Sequence, residues 1–232
     1  MSNSLKVVPQ SVRRQVEDGL RAAIVSGRFP PGEHLPDRVL CEVFGTSRSV
    51  VREAVRRLEA EGLVTVHANR GPFVAVLSIE EAAEIYEVRA ALEALAGEGF
   101  AVRANDAERA ELHGVFDELR RFGSEVTQEG LLDIKRRFYE IMTKGCRNTL
   151  VARMLDQLLT RNAQLRATSL SSSNRLPATI AELAQIVDAI DRRDPVAAAA
   201  ACRSHVQAAA DIAIGILQAR DSQAEAIPNG QT

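Results

Sequence analysis

A chain of 232 residues that is 46% hydrophobic is long enough for two modest domains and can bury a sizeable core. Three widely spaced cysteines (Cys41, Cys146, Cys202), odd in number and without a C-x-x-C pair, argue against a disulfide framework and a zinc ribbon and for a reducing cytoplasm. The net charge of -2 looks wrong for a nucleic-acid binder, but residues 1–78 carry 11 Lys and Arg against 8 Asp and Glu, so the acidic excess belongs to the rest. The first residues lack the apolar core of a signal peptide, and no apolar run approaches the roughly 18 residues of a membrane span. A cytoplasmic protein with no membrane partner is expected.

Taken in chain order, the first predicted element is a helix capped by Ser11 and running to Ser26, with Val16, Leu20 and Ile24 on one face and Gly27 ending it. Phe29-Pro30-Pro31-Gly32 reads as a turn. Leu35, Val39, Leu40, Val43 and Phe44 then mark a short helix closed by Gly45, and Ser47 is placed to cap the next. That third helix, about Arg48 to Glu61, puts Val51, Ala54, Val55 and Leu58 on one side and Arg48, Arg52 and Arg56 beside them, with Ser49 close by. An apolar seam for docking, with Arg and Ser at the exposed N-terminal end, suits the major groove, where Arg pairs with guanine edges and the helix end favours a phosphate. Two alternating runs, Val64–Val66 and Phe73–Val76, joined through Ala68-Asn69-Arg70-Gly71, read as a hairpin whose tip carries His67, Asn69 and Arg70. A basic hairpin after a recognition-type helix is a wing. A small three-helix domain with solvated arginines is the blander alternative, and the combination of elements weighs against it.

The stretch from Leu35 to Gly71 closely resembles the GntR family of bacterial regulators. Its hallmark Gly-Val-Ser-Arg-Thr-Pro-Val-Arg-Glu-Ala-Leu stands here as Gly45-Thr46-Ser47-Arg48-Ser49-Val50-Val51-Arg52-Glu53-Ala54-Val55, followed by Arg57-Leu58-Glu59-Ala60-Glu61-Gly62-Leu63. The resemblance implies DNA contacts from Arg48 and Arg52, with Ser47 and Ser49 beside them. It also implies contacts from the wing tip (His67, Asn69, Arg70, Gly71) and from the start of the second helix at Asp37 or Arg38.

Ser78 followed by Glu81 forms a capping box. It opens the first of six long amphipathic helices and sets the expected domains: 1–78 a winged helix-turn-helix, 79–220 an all-helical bundle, and 221–232 a polar, disordered tail. Residues 168–174 read as a loop. The expected fold class is therefore mainly α, with a small β-hairpin wing. The helical part resembles the effector-binding (FCD) domain of the FadR-type branch of the same family, through Tyr86-Glu87-Val88-Arg89 to Glu93, Phe138, Arg147-Asn148-Thr149-Leu150, Ala189-Ile190, Asp194 and His205.

Independently, several polar residues fall on helix stripes expected to face the core. Arg89 lies beside the stripe Ile85, Val88, Leu92, Leu95; Lys135, with Tyr139 on the flank, falls among Leu131, Ile134, Phe138, Ile141 and Met142; Arg161 falls among Leu150, Met154, Leu158 and Leu165; His205 falls among Cys202, Val206, Ala209 and Ile212. Burying cations without partners is costly, internal acids are scarce on these stripes, and a ligand carboxylate would supply the missing anion. Blander roles stay open: Arg89 pairing with Glu93 or reaching solvent, Lys135 snorkelling, His205 as a satisfied core histidine, Arg161 at a subunit interface, Tyr139 in plain packing.

Many FCD domains hold a metal through an Asp and a His four residues apart, a second His two helices later and a third on the last helix. The corresponding residues here are Lys135, Tyr139, Leu183 and His205, and Asp133 lies two residues off on the wrong face. One His cannot hold zinc, so the expectation is no metal and a cationic cradle for an organic acid. The resemblance implies a homodimer on a near-palindromic double-stranded operator; repression relieved by an effector, a small carboxylate on the cationic-cradle reading, is expected ahead of activation. The alternative is a regulator whose helical domain serves dimerisation only. An enzyme is not expected, since there is no phosphate loop, nucleophilic triad or acidic metal cluster.

Overall fold

A computed structural model describes residues 12–122, 128–161, 165 and 175–226. Ser11 and the loop expected over 168–174 lie outside the described residues. The chain divides into two compact units, Met1–Val76 and Leu77–Thr232.

The first unit has three helices, α1 (Val12–Val25), α2 (Asp37–Phe44) and α3 (Arg48–Ala60), then an antiparallel hairpin, β1 (Val64–His67) and β2 (Gly71–Val74). Val16, Leu20 and Ile24 of α1, Leu40 of α2 and Val51, Ala54, Val55 and Leu58 of α3 are all buried. Each fully buried Leu, Ile or Val side chain contributes about 1.5–3 kcal/mol. Leu35, expected inside the second helix, precedes it: Pro36 takes the N-cap position, and Leu35 is buried in the core. Gly45 closes α2 in the left-handed conformation (φ 59°), its N–H bonding to the Cys41 carbonyl.

The hairpin has one partner more than expected. Gly32 N–H bonds to Val74 O, Val74 N–H to Glu33 O and Leu35 N–H to Pro72 O, and His34 forms a bridge with Phe73. The segment after the Pro-Pro turn therefore covers the outer edge of β2, which protects an otherwise open strand. Strand pairing ends at Val74 instead of Val76, which is exposed.

The second unit contains, among the described residues, six helices: α4 (Ile79–Arg103), α5 (Asp106–Phe122), α6 (Gln128–Gly145), α7 (Thr149–Arg161), α8 (Arg175–Asp191) and α9 (Pro195–Ala226). Both bonds of the Ser78–Glu81 capping box are present. Asn148 caps α7 through Leu150 and Val151 N–H, and Asp194 caps α9 through Ala197 N–H. Helix α4 is the centre of the bundle and packs most extensively on α9. Residues 221–226, expected as a disordered tail, continue α9 instead, since Gln, Ala and Glu readily extend a helix already nucleated.

Two stripes differ from expectation. On α4 the buried line runs through Ala82, Tyr86, Arg89, Glu93, Ala96 and Phe100, while Val88 and Leu95 are about half exposed (44% and 49%). On α7, Val151 and Leu155 are buried, and Leu150 and Met154 face outward. Both helices carry apolar residues on more than one side, so periodicity alone does not select the core face. No helix of the described residues is long and apolar enough to cross a membrane.

Candidate DNA interface and effector site

In the first unit the cationic side chains of α3 are outside and its apolar seam is inside. Arg48, Ser49 and Arg52 are exposed near its start. Ser47 occupies the N-cap position with extended backbone, but its hydroxyl does not bond a helix N–H; it meets the Ser49 hydroxyl at 3.0 Å. The expected serine cap is thus unmade, and the first-turn N–H groups keep their capacity for an anion. Arg52 is not loose: its Nε donates to Asp37 Oδ2 at 2.7 Å, tying α3 to α2. That bond engages Nε, and the Arg52 side chain stays 65% exposed. Arg38 is exposed and 3.6 Å from Glu42.

At the wing, Asn69 (φ 63°) and Gly71 (φ 83°) both take the left-handed conformation that the tight turn requires. Phe73 organises the side chains around it. His34 stacks on it at 4.6 Å, His67 meets it edge-on at 5.2 Å, and the Arg70 guanidinium lies 5.3 Å from its centroid. His67, Asn69 and Arg70 remain exposed.

In the second unit, polar groups on four helices converge inside the bundle. Arg89 and Glu93 of α4 are 2% and 0% exposed and joined by bonds of 2.8 and 2.6 Å from Arg89 Nε and Nη2 to Glu93 Oε1. Burial opposes the Arg89 charge, but Glu93, with help from Tyr139 and Tyr86, outweighs it and raises the guanidinium pKa. Lys135 and Tyr139 of α6 are buried. On α9, His205 is fully buried and its Nδ1 lies 2.5 Å from Glu182 Oε2 of α8. Arg175, one face up on α8, grips the same carboxylate at 2.6 and 2.8 Å. Burial works against the Glu182 charge, yet the bonds from His205 and Arg175 hold its carboxyl below the usual range. Burial first, then Lys135, pushes His205 down to about 4 against the pull of Glu182 and Glu93, so the imidazole is neutral at pH 7.

The structure therefore brings Arg89, Lys135, Tyr139 and His205 into one cluster, and corrects the expected scarcity of internal acids. Glu93 and Glu182 are the counter-charges. They sit four residues along from Arg89 and seven along from Arg175, on the same helix faces. Arg175 and Thr179, absent from the sequence-derived site, belong to the cluster; the spacing 175, 179, 182 on one helical face is the signal that would have found them. Arg161 has a different setting: at the end of α7 it pairs with Glu81 at 3.0 Å and is about a third exposed. Two shallow surface hollows of this unit lie elsewhere, one lined by Gly114, Asp117, Arg120 and Arg121, the other along α8 and α9 including Gln185 and Ser204.

A winged helix-turn-helix with an arginine-bearing third helix, linked to an all-helical unit, defines a DNA-binding transcriptional regulator. The family of bacterial regulatory proteins of the gntR type matches residues 12–74, and the FCD domain matches residues 84–208. The chain belongs to the GntR family, in the branch that carries an FCD domain.

Among its relatives, it is 27% identical over 209 residues to a probable D-xylose utilization operon transcriptional repressor of Paenarthrobacter nicotinovorans, covering 89% of this chain and 91% of that one. It is 26% identical over 196 residues to the galactonate operon transcriptional repressor of Escherichia coli, covering 75% and 85%. A solved structure of a putative GntR regulator from Rhodococcus sp. RHA1 shares the fold, with a TM-score of 0.76 at 21% identity over 89% of this chain and 99% of that one.

Proposed function

We propose that the protein is a homodimeric repressor whose helical unit binds a small carboxylate, without a metal, and so releases a near-palindromic operator. The observation that carries the effector reading is a pair of buried guanidinium donors in the cluster, Arg89 Nη1 and Arg175 Nε, that have no acceptor among the described residues. A carboxylate oxygen would accept from such a donor. The residues at the family's metal positions do not suit a metal: Lys135 and Leu183 donate nothing to a cation, and among the described residues no group of three or more His, Cys, Asp or Glu is placed to hold a metal ion. In this reading the Lys135 ammonium supplies the charge a metal supplies elsewhere, and Tyr139 borders the same site.

At the DNA end, Arg48, Ser49 and Arg52 read base edges, and the uncapped start of α3 at Ser47 takes a phosphate. Arg38, His67, Asn69, Arg70 and Gly71 meet the backbone or the minor groove. Dimerisation is supported by an outward apolar line on α4 (Val88, Leu95, Val102) and by Leu150 and Met154 on the adjoining α7. Two relatives that are repressors by name support the sign of control. A helical unit serving dimerisation alone would have no reason to bury this many charged groups.

The test is fluorescence anisotropy on DNA from the protein's own promoter region, titrated with small carboxylates with and without zinc. Release by a carboxylate in the absence of zinc is expected. Arg89→Gln combined with Glu93→Gln, which strands no buried charge, retains DNA binding and ignores the carboxylate. Arg48→Ala weakens specific binding by about tenfold or more. Release only when zinc is present would contradict the metal-free site, and release by no carboxylate would contradict the sensor.

A further inference from the structure

A two-stranded hairpin is marginal by itself, and the wing has more than its own two strands: residues 32–35 bond along the outer edge of β2. Strand register decides what that addition brings. Thr65 pairs with Phe73, and Phe73 bridges to His34, so the three stand in a row on one face of the sheet. His67 and Gly71, paired with each other two positions along, share that face. Leu35, Val64 and Val74 take the opposite face and are buried. The outer face therefore gathers the imidazole of a residue outside the hairpin with the side chains of the hairpin's tip.

The contacts on this face form a chain. The His34 ring lies nearly parallel to Phe73, 25° between planes, while the His67 edge and the Arg70 guanidinium meet the same phenyl ring. A methyl group on Gly71 would lie 3.3 Å from His34 Nε2, so the imidazole also rests against the exit of the turn. His34, His67 and Arg70 are exposed, and Phe73 is half-buried among them. An arginine already laid against a ring loses less rotamer freedom when it meets a phosphate than one that swings free.

We propose that His34 is a positioning residue for DNA binding: stacked on Phe73 and set against Gly71, it fixes the wing tip so that Arg70 and His67 are held ready for the duplex. The proposal rests on the wing reading given above and adds a residue from outside the hairpin. His34 acts through its ring, by stacking, and not through its own hydrogen bonds.

The test measures affinity of the full-length protein for a duplex from its own promoter region, by anisotropy across a salt series. Arg70→Ala is expected to weaken binding and to flatten the dependence of log affinity on log salt by about one per protomer. His34→Ala is expected to weaken binding at least about threefold, the scale of one lost aromatic pair, and to flatten the same slope. In the Arg70→Ala background it loses most of that effect. His34→Phe, which keeps the stack without the ring nitrogens, is expected to retain wild-type affinity and slope. Equal losses with His34→Ala and His34→Phe would show a direct imidazole contact and overturn the positioning role. Weaker binding by His34→Ala at an unchanged slope, or no weakening at all, also overturns it and leaves the wing reading standing on Arg70→Ala. No effect of Arg70→Ala overturns both.

Discussion

His205 carries the acid response of the helical unit. Unfolded, it takes up a proton near pH 6.5; folded, burial and Lys135 hold it to about 4. Between those values the unfolded chain binds the extra proton, so stability is intact above about pH 6.5 and is lost as pH falls toward 4. The loss amounts to roughly 3 kcal/mol at most. Glu182, held low by its own bonds, adds a loss of the same sign at still lower pH. The melting temperature should therefore drop by several degrees from pH 7 to pH 5, and His205→Gln should flatten that slope. A wild-type profile level across this range would contradict the buried neutral imidazole. Much of this site was legible as residue types: Arg89, Lys135, Tyr139 and His205 stand out as polar groups on apolar faces. Their counter-charges were harder to place. Glu93 is in plain view four residues from Arg89, but whether such a pair is buried or solvated depends on what packs over it, and that is decided by other helices.

At the level of the helix, α4 is shaped for contact on most of its surface. Gly97 lets α9 come close: a methyl group there would lie 2.6 Å from Cys202 Sγ and 3.2 Å from the Ala198 carbonyl. Gly97→Ala should cost about 1–3 kcal/mol by overpacking. The double variant with Cys202→Ala should recover part of that loss, read as a melting-temperature cycle. Additive losses would show that the two residues do not press on each other. Helix α3 was fully legible because it has one wet side, so its apolar positions and its core positions coincide. Helices α4 and α7 were not, because apolar residues such as Val88, Leu95, Leu150 and Met154 stand outside the fold of a single chain. The strand-like pairing of Gly32–Leu35 with β2 was hidden for another reason: it is made by backbone groups, which leave little trace in residue identity.

For the molecule as a whole, the basic excess of the first unit and the acidic excess of the second agree with a division of labour between DNA and regulation. Two-fold symmetry links them if the outward line on α4 and α7 is where copies meet. Leu95→Glu should then yield monomers by light scattering and sharply weaken operator binding, since one half-site holds far less well than two. Val196→Glu, at a site 77% exposed on α9, should change neither. An unaltered dimer with Leu95→Glu would place the contact elsewhere. Helix α4 then has an unusual evolutionary position. Between residues 92 and 101 only Leu95 and Glu98 reach the surface of the single chain. Most helices have a side on which sequence can drift without consequence. Along this segment one side answers to the ligand, another to close packing and a third to the second copy, so a lineage that changes its effector must do so under two other constraints carried by the same few turns.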